Sequence, residues 1–187
     1  YSLQTKNFIP MIDVGSRSCV RAADYDNDGD VDLCLSSALG TLFFFVNTGT
    51  HSQPNFDYKP TTSLHSDLNY YATVTNADLN GDSKVDLLIG NFFGKLRTLI
   101  NTSANGIISF TEQSHPLNAF NVGQNSAPCV ADIDADGALD VLVGNSGGQM
   151  WFLKNTGTNS SPAYSTELFF NSIDVGNDAI PFVADID

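Results

Sequence analysis

Apolar residues in this chain come in short runs, each closed by Gly, Asn, Asp, Ser or Pro. One class of run reads "VDLCLS" at 31–36, "VDLLIG" at 85–90 and "LDVLVG" at 139–144. A second follows it, led by glycine: "GTLFFFVNTGT" at 40–50, "GKLRTLINTS" at 94–103 and "GQMWFLKNTGT" at 148–158. A third precedes both, in "RSCVRAAD" (17–24), "YATVTNAD" (71–78), "SAPCVAD" (126–132) and "AIPFVAD" (179–185). A fourth, more polar segment reads "NFDYK" (55–59), "ISFTEQ" (108–113) and "AYSTEL" (163–168). Runs of this length, rich in Val, Ile, Leu and Phe and bounded by turn residues, predict strands. No stretch keeps the 3.6-residue period of an amphipathic helix.

The four classes recur in the same order. Their common marker is an aspartate, Asp24, Asp78, Asp132 and Asp185, at steps of 54, 54 and 53 residues. A spacer ends "DVG" at 13–15, "NVG" at 121–123 and "DVG" at 174–176, with "DLN" at 67–69 as the weaker copy. A fixed period in this range marks a repeat architecture, and tandem units of four short antiparallel strands are the pattern of β-propeller blades. The expected fold is therefore all-β: a β-propeller of four-stranded antiparallel blades with about 54 residues per repeat. The whole chain, 1–187, reads as one repeat array. One sheet cannot bury both of its faces alone, so packing on the next blade is expected to cover Phe43, Phe44, Phe45, Trp151 and Phe152. Both ends fall inside a repeat, and three periods with a remainder are fewer than a closed ring typically takes. The expectation is a partial propeller, a piece of a larger protein. An open stack and a ring closed between chains are the alternatives.

Composition changes the picture in one respect. Eight Lys and Arg against 21 Asp and Glu leave a formal net charge of −13. That argues against nucleic acid as a partner, because phosphate binding needs clustered cations. No apolar run reaches membrane-spanning length, so no membrane insertion is expected of this segment. Cys19, Cys34 and Cys129 are too few, and odd in number, for a disulfide framework. The acid is concentrated rather than spread: most of it lies in "DYDNDGDVD" (24–32), "DLNGDSKVD" (78–86), "DIDADGALD" (132–140) and the incomplete copy that begins at Asp185. Like charges this close oppose folding unless a cation sits among them.

Counted from the first Asp, side-chain oxygens fall at positions 1, 3, 5 and 9. These are Asp24, Asp26, Asp28 and Asp32; Asp78, Asn80, Asp82 and Asp86; Asp132, Asp134, Asp136 and Asp140. Alternate spacing curls the first three around one point. Gly29 and Gly137 at position 6 permit a sharp turn. Position 7 varies between Asp30, Lys84 and Ala138, which suits a ligand supplied by the backbone carbonyl. An all-oxygen set without His or Cys selects Ca²⁺ over zinc or copper, and Mg²⁺ keeps more of its water. The helical EF-hand is excluded, because its bidentate Glu at position 12 is replaced here by Leu35, Ile89 and Val143 in strand sequence. About three Ca²⁺ sites are expected. The second is the weakest, since Asn80 replaces a carboxylate and Ser83 a glycine. Asp185 and Asp187 alone make no site.

"ADYDNDGDVDL", "ADLNGDSKVDLLIGN" and "ADIDADGALDVLVGNSGGQMWFLKNTGT" resemble FG-GAP or VCBS repeats, the blades of integrin-α-like propellers. The resemblance covers nearly the whole chain. It implies calcium between two strands of a blade, usually in a seven-bladed propeller of an extracellular protein. The chain departs from the pattern at Ser36, where Gly90 and Gly144 stand in the other copies, and at Ser83.

Calcium in such loops is most simply structural, and an extracellular or cell-surface location suits weak sites best. Asn101-Thr-Ser and Asn159-Ser-Ser are glycosylation sequons if the source is eukaryotic. His51, His65 and His115 fall in spacers at no recurring position, and no nucleophile or phosphate-binding motif occurs. The chain is therefore not read as an enzyme. Three functions remain: a calcium-stabilised segment of an adhesion or surface-structural protein that binds an extracellular protein or assembles with itself; a lectin-like propeller that binds glycans, for which Tyr58, Tyr70, Tyr71 and Tyr164 offer aromatic surface; and an accessory propeller of a larger secreted enzyme.

Overall fold

The computed structural model describes residues 17–59, 70–167 and 175–184. The spacers at 13–15 and 67–69, His65, Asp174 and the incomplete loop with Asp185 and Asp187 lie outside the described residues. Among the described residues twelve strands form three four-stranded sheets, each in chain order and antiparallel throughout. The first holds β1 (Cys19–Ala23), β2 (Asp32–Ser36), β3 (Leu42–Asn47) and β4 (Phe56–Lys59). The second holds β5 (Thr73–Ala77), β6 (Asp86–Gly90), β7 (Leu96–Asn101) and β8 (Phe110–Glu112). The third holds β9 (Ala127–Ala131), β10 (Asp140–Gly144), β11 (Met150–Asn155) and β12 (Tyr164–Glu167). One turn of 3₁₀ helix, Pro116–Ala119, leads from the second sheet towards the third. Among the described residues no helix is long and apolar enough to cross a membrane.

The repeat appears in the registers. Ala23 faces Asp32, Ala77 faces Asp86 and Ala131 faces Asp140, so every acidic loop spans the same first-to-second-strand connection. The first strands adjoin one another, β1 against β5 and β5 against β9. Across the first gap the Cys19 thiol donates to the Val74 carbonyl at 3.8 Å. Across the second the Thr73 hydroxyl donates to the Ser126 carbonyl at 2.6 Å. All three cysteines are free thiols.

Successive side chains of a strand point to opposite faces. In β6, Leu87 and Ile89 enter a core shared with Tyr25, Cys34, Leu42 and Phe44 of the first sheet. Leu88, between them, enters a second core with Val141, Val143 and Leu153 of the third sheet. The middle sheet is covered on both sides, which is why every residue of β6 is buried.

The aromatic run needs a correction. Phe44 lies in the inter-sheet core, between Tyr25 and Phe110 at ring separations of 5.4 Å each. Phe43 and Phe45 point the other way and meet Tyr58 of their own sheet, at 6.2 and 5.4 Å. Phe152 is buried, whereas Trp151 is half-buried at the edge of the second core.

Antiparallel order gives the molecule two ends. The acidic loops and the third-to-fourth-strand turns share one end: the Lys84 ammonium reaches the Ser103 carbonyl at 2.8 Å there. The second-to-third-strand turns share the other end with the segments that enter the first strands: Tyr71 N–H donates to the Ala38 carbonyl at 2.9 Å.

Candidate metal centre

Each acidic loop leaves the end of a first strand and folds back on its own backbone. Asp24 accepts from the N–H groups of Asp28 (3.1 Å) and Gly29 (3.0 Å). Asp78 accepts from Gly81 (2.7 Å), Asp82 (3.1 Å) and Ser83 (2.8 Å). Asp132 accepts from Asp136 (3.1 Å) and Gly137 (3.0 Å). The position-5 carboxylates Asp28, Asp82 and Asp136 each accept from the position-7 N–H of Asp30, Lys84 and Ala138, always at 2.9 Å. This backbone curl places positions 1, 3 and 5 around one point. In the first loop Asp24, Asp26 and Asp28 each offer a carboxylate oxygen, all within 4.8 Å of one another, and Asp132, Asp134 and Asp136 do the same in the third.

The curl needs two left-handed residues. Position 6 has φ of +96° at Gly29, +68° at Ser83 and +89° at Gly137. Position 4 has φ of +63° at Asn27, +77° at Gly81 and +60° at Ala135. Position 6 is the one the sequence pointed to; position 4 carries no constant residue type and was missed.

The position-9 aspartates behave differently from the first three. Asp32, Asp86 and Asp140 are fully buried, and each ties two segments together. One oxygen accepts from the loop's second residue: Tyr25 at 2.9 Å, Leu79 at 2.8 Å, Ile133 at 3.2 Å. The other accepts from the last residue of the third strand: Asn47, Asn101 and Asn155, each at 2.8 Å. They stand outside the 4.8 Å oxygen groups. Their first role is to lock loop to sheet.

Those asparagines recur at the 54-residue step, a signal available in "VNTGT", "INTS" and "KNTGT". Each side-chain oxygen accepts the N–H two residues on, at Gly49 (3.1 Å), Ser103 (2.8 Å) and Gly157 (3.0 Å). Asn101 must therefore be corrected as a glycan acceptor. It is 1% exposed, and its amide nitrogen donates to the Tyr25 and Val85 carbonyls at 3.0 Å each, so the folded chain has no room for a sugar there. Asn159 is half-buried and braces the third loop, accepting from Leu139 N–H at 2.8 Å and donating to the Gly137 carbonyl at 3.3 Å.

Electrostatics separate the three loops. Asp26 is 3% exposed. Burial, and then the carboxylates of Asp32 and Asp28, push its pKa up to about 6. Burial also raises Asp32 and Asp140, and takes Asp86 to about 6, against the opposing backbone donors. In the second loop the Asn80 amide donates to Asp82 at 3.2 Å and brings no charge. In the third, the Lys154 ammonium contacts Asp134, lies 3.9 Å from Asp136, and holds the Asp134 carboxyl below the usual range. Lys154 has no counterpart in the other copies, where Ile100 and Val46 stand, so the repeat pattern does not signal it. The first loop is thus a half-buried cage of hard oxygens that forms no ion pair among the described residues. That donor set fits a divalent cation of the calcium type. His115 plays no part: its ring bonds the Leu79 carbonyl at 3.4 Å, and burial lowers its pKa. His51 is exposed in the β3–β4 turn.

Comparison with curated proteins finds no match. The family model of the FG-GAP-like repeat matches residues 24–89 and 78–143, two overlapping windows that each run from one acidic loop through the next. They cover more than half of the chain, and the chain belongs to the FG-GAP-like repeat family.

Proposed function

We propose that the chain is a calcium-stabilised binding module of an extracellular or cell-surface protein, its three sheets serving as blades of a larger propeller. The observation that carries this reading is the convergence of carboxylate oxygens within 4.8 Å in two repeat-equivalent loops. Like charges so close, one of them buried, favour the fold only when a cation joins them. Asp24, Asp26 and Asp28 would hold it in the first loop, Asp132, Asp134 and Asp136 in the third, and Asp78, Asn80 and Asp82 more weakly in the second. Calcium bound there would neutralise the cluster and pin the connection that Asp32, Asp86 and Asp140 already lock to the sheet. FG-GAP-like repeats are typically structural or binding repeats of extracellular proteins, where calcium is abundant enough to fill weak sites.

Thermal melts in millimolar Ca²⁺ and in EDTA test the proposal. Binding to the folded form alone raises stability by mass action, by about 2.7 kcal/mol at a hundredfold excess over Kd. The melting temperature should rise by several degrees with calcium, and Asp28→Ala and Asp136→Ala should each reduce the rise. A cooperative melt indifferent to calcium would leave the loops as acidic turns.

A further inference from the structure

At position 3 the second loop carries Asn80 where the other copies carry Asp26 and Asp134, and Gly81 follows it. An Asn-Gly peptide is open to attack on the side-chain amide by the glycine nitrogen, because glycine puts no Cβ in the way and adapts its backbone freely. The attack is helped by an acceptor for the glycine N–H and by a donor to the amide oxygen as it gains charge. The loop holds both. Gly81 N–H donates to Asp78 Oδ1 at 2.7 Å. The Asn80 side-chain oxygen accepts from Asp82 N–H at 2.9 Å, and its amide nitrogen donates to the Asp82 carboxylate at 3.2 Å. Gly81 is exposed, so water reaches the bond.

The chain contains a second Asn-Gly pair, Asn105-Gly106, in the exposed β7–β8 turn. Both of its residues hold left-handed backbone, with φ of +55° and +71°. Ala104 and Ile107 close the turn by exchanging backbone hydrogen bonds at 3.1 and 3.3 Å. Among the described residues no carboxylate accepts the Gly106 N–H, and no donor holds the Asn105 side-chain oxygen. The two pairs thus share their sequence and their access to water and differ in what surrounds the reacting atoms.

We propose that Asn80 is a self-modification site, deamidated to aspartate by the Gly81 nitrogen with Asp78 and Asp82 N–H assisting. The Gly81 nitrogen bonds to Asn80 Cγ as its proton passes to Asp78, and the oxygen takes up charge against Asp82 N–H. The Cγ–Nδ2 bond then breaks, Asp78 returns the proton, and ammonia leaves a cyclic imide. Water adds at Cγ and the new Cγ–N bond breaks, which restores the Gly81 N–H and leaves a carboxylate at residue 80. The net change consumes one water and releases ammonium, with no oxidant or reductant. The ring opens at Cγ because Asp82 N–H polarises that carbonyl. Opening at the main-chain carbonyl would give isoaspartate and lengthen the backbone inside the curl that Asp78 holds through Gly81, Asp82 and Ser83. The product carries carboxylates at positions 1, 3 and 5, the set that the first and third loops gather within 4.8 Å. That conversion strengthens the weakest loop rests on the calcium reading; the conversion itself does not.

The test is peptide mass mapping of the unaltered chain, aged in EDTA at neutral pH, with aspartate and isoaspartate told apart by fragmentation. Asn80 should convert at least about tenfold faster than Asn105, a part of the about hundredfold that a positioned base contributes in an enclosed site. Its product should be mainly aspartate. In concentrated guanidinium the two rates should become equal, because only the fold distinguishes the pairs. Asp78→Asn should slow Asn80 about tenfold and leave Asn105 unchanged. Conversion of Asn105 as fast as Asn80 in the aged native chain, or isoaspartate as the main product at residue 80, would overturn the proposal. Mass mapping needs no calcium, so it fails separately from the metal reading. The gain in the second loop is read by calcium titration of Asn80→Asp, which should bind there about tenfold more tightly than the unaltered chain, as one added charged ligand implies; equal binding would overturn the gain.

Discussion

Positions 4 and 6 of an acidic loop must both adopt left-handed backbone, and only some copies supply glycine. Ser83 (φ +68°) and Ala135 (φ +60°) hold that conformation with a Cβ. Replacing either by Gly removes strain of about 1 kcal/mol, partly offset by the greater entropy of the unfolded glycine. Ser83→Gly should therefore raise the midpoint of chemical denaturation modestly, and Gly29→Ala should lower it. At this scale the convergence of side-chain oxygens was legible, because positions 1, 3 and 5 meet through bonds made within the loop itself. The locking role of Asp32 was not, because its partner Asn47 lies on another strand and only the finished sheet brings them together at 2.8 Å. The same holds for Lys154, whose approach to Asp134 depends on the turn of β11.

Strands were the most legible elements, since period-two burial and turn chemistry act locally. What the sequence left open was how sheet meets sheet. At Gly90 an added Cβ would lie 2.1 Å from the Ser126 carbonyl, and at Gly144 2.0 Å from that of Ala179. Backbone approaches backbone there, and no side chain fits. The first interface solves the same problem otherwise: Ser36 stands at the equivalent place and donates to the Ala72 carbonyl at 2.7 Å. The departure at Ser36 is thus a hydroxyl bridge between sheets. Gly90→Ala should force the second and third sheets apart and cost about 1–3 kcal/mol, as overpacking does. Ser36→Ala should cost about 1 kcal/mol through one lost hydrogen bond. Denaturant titrations of the two variants measure both; an unperturbed Gly90→Ala would mean that the sheets do not meet this closely. Phe43 and Phe45 show the same limit, since their side of the sheet depends on a register that the run "LFFF" does not specify.

The whole molecule gathers its acidic loops at one end and its second-to-third-strand turns at the other, a division that follows from antiparallel order once the repeats are aligned. Its stability should depend on pH in opposite senses with and without calcium. Asp26 and Asp86 have pKa values near 6, above the ordinary carboxylate value. The unfolded chain releases these protons first, so each group stabilises the fold below the ordinary pKa and loses that contribution as pH rises through about 6. In EDTA the melting temperature should rise when pH falls from about 7.5 to about 5.5. In calcium it should fall over the same interval, as protons compete with the ion for Asp26. The most direct test of calcium binding is calorimetric titration of the metal-free chain, alone and with Lys154→Met. The account predicts calcium-specific heat from the first loop, weaker binding from the other two, and a tighter third site once the Lys154 ammonium no longer competes. No saturable heat from either protein would contradict it.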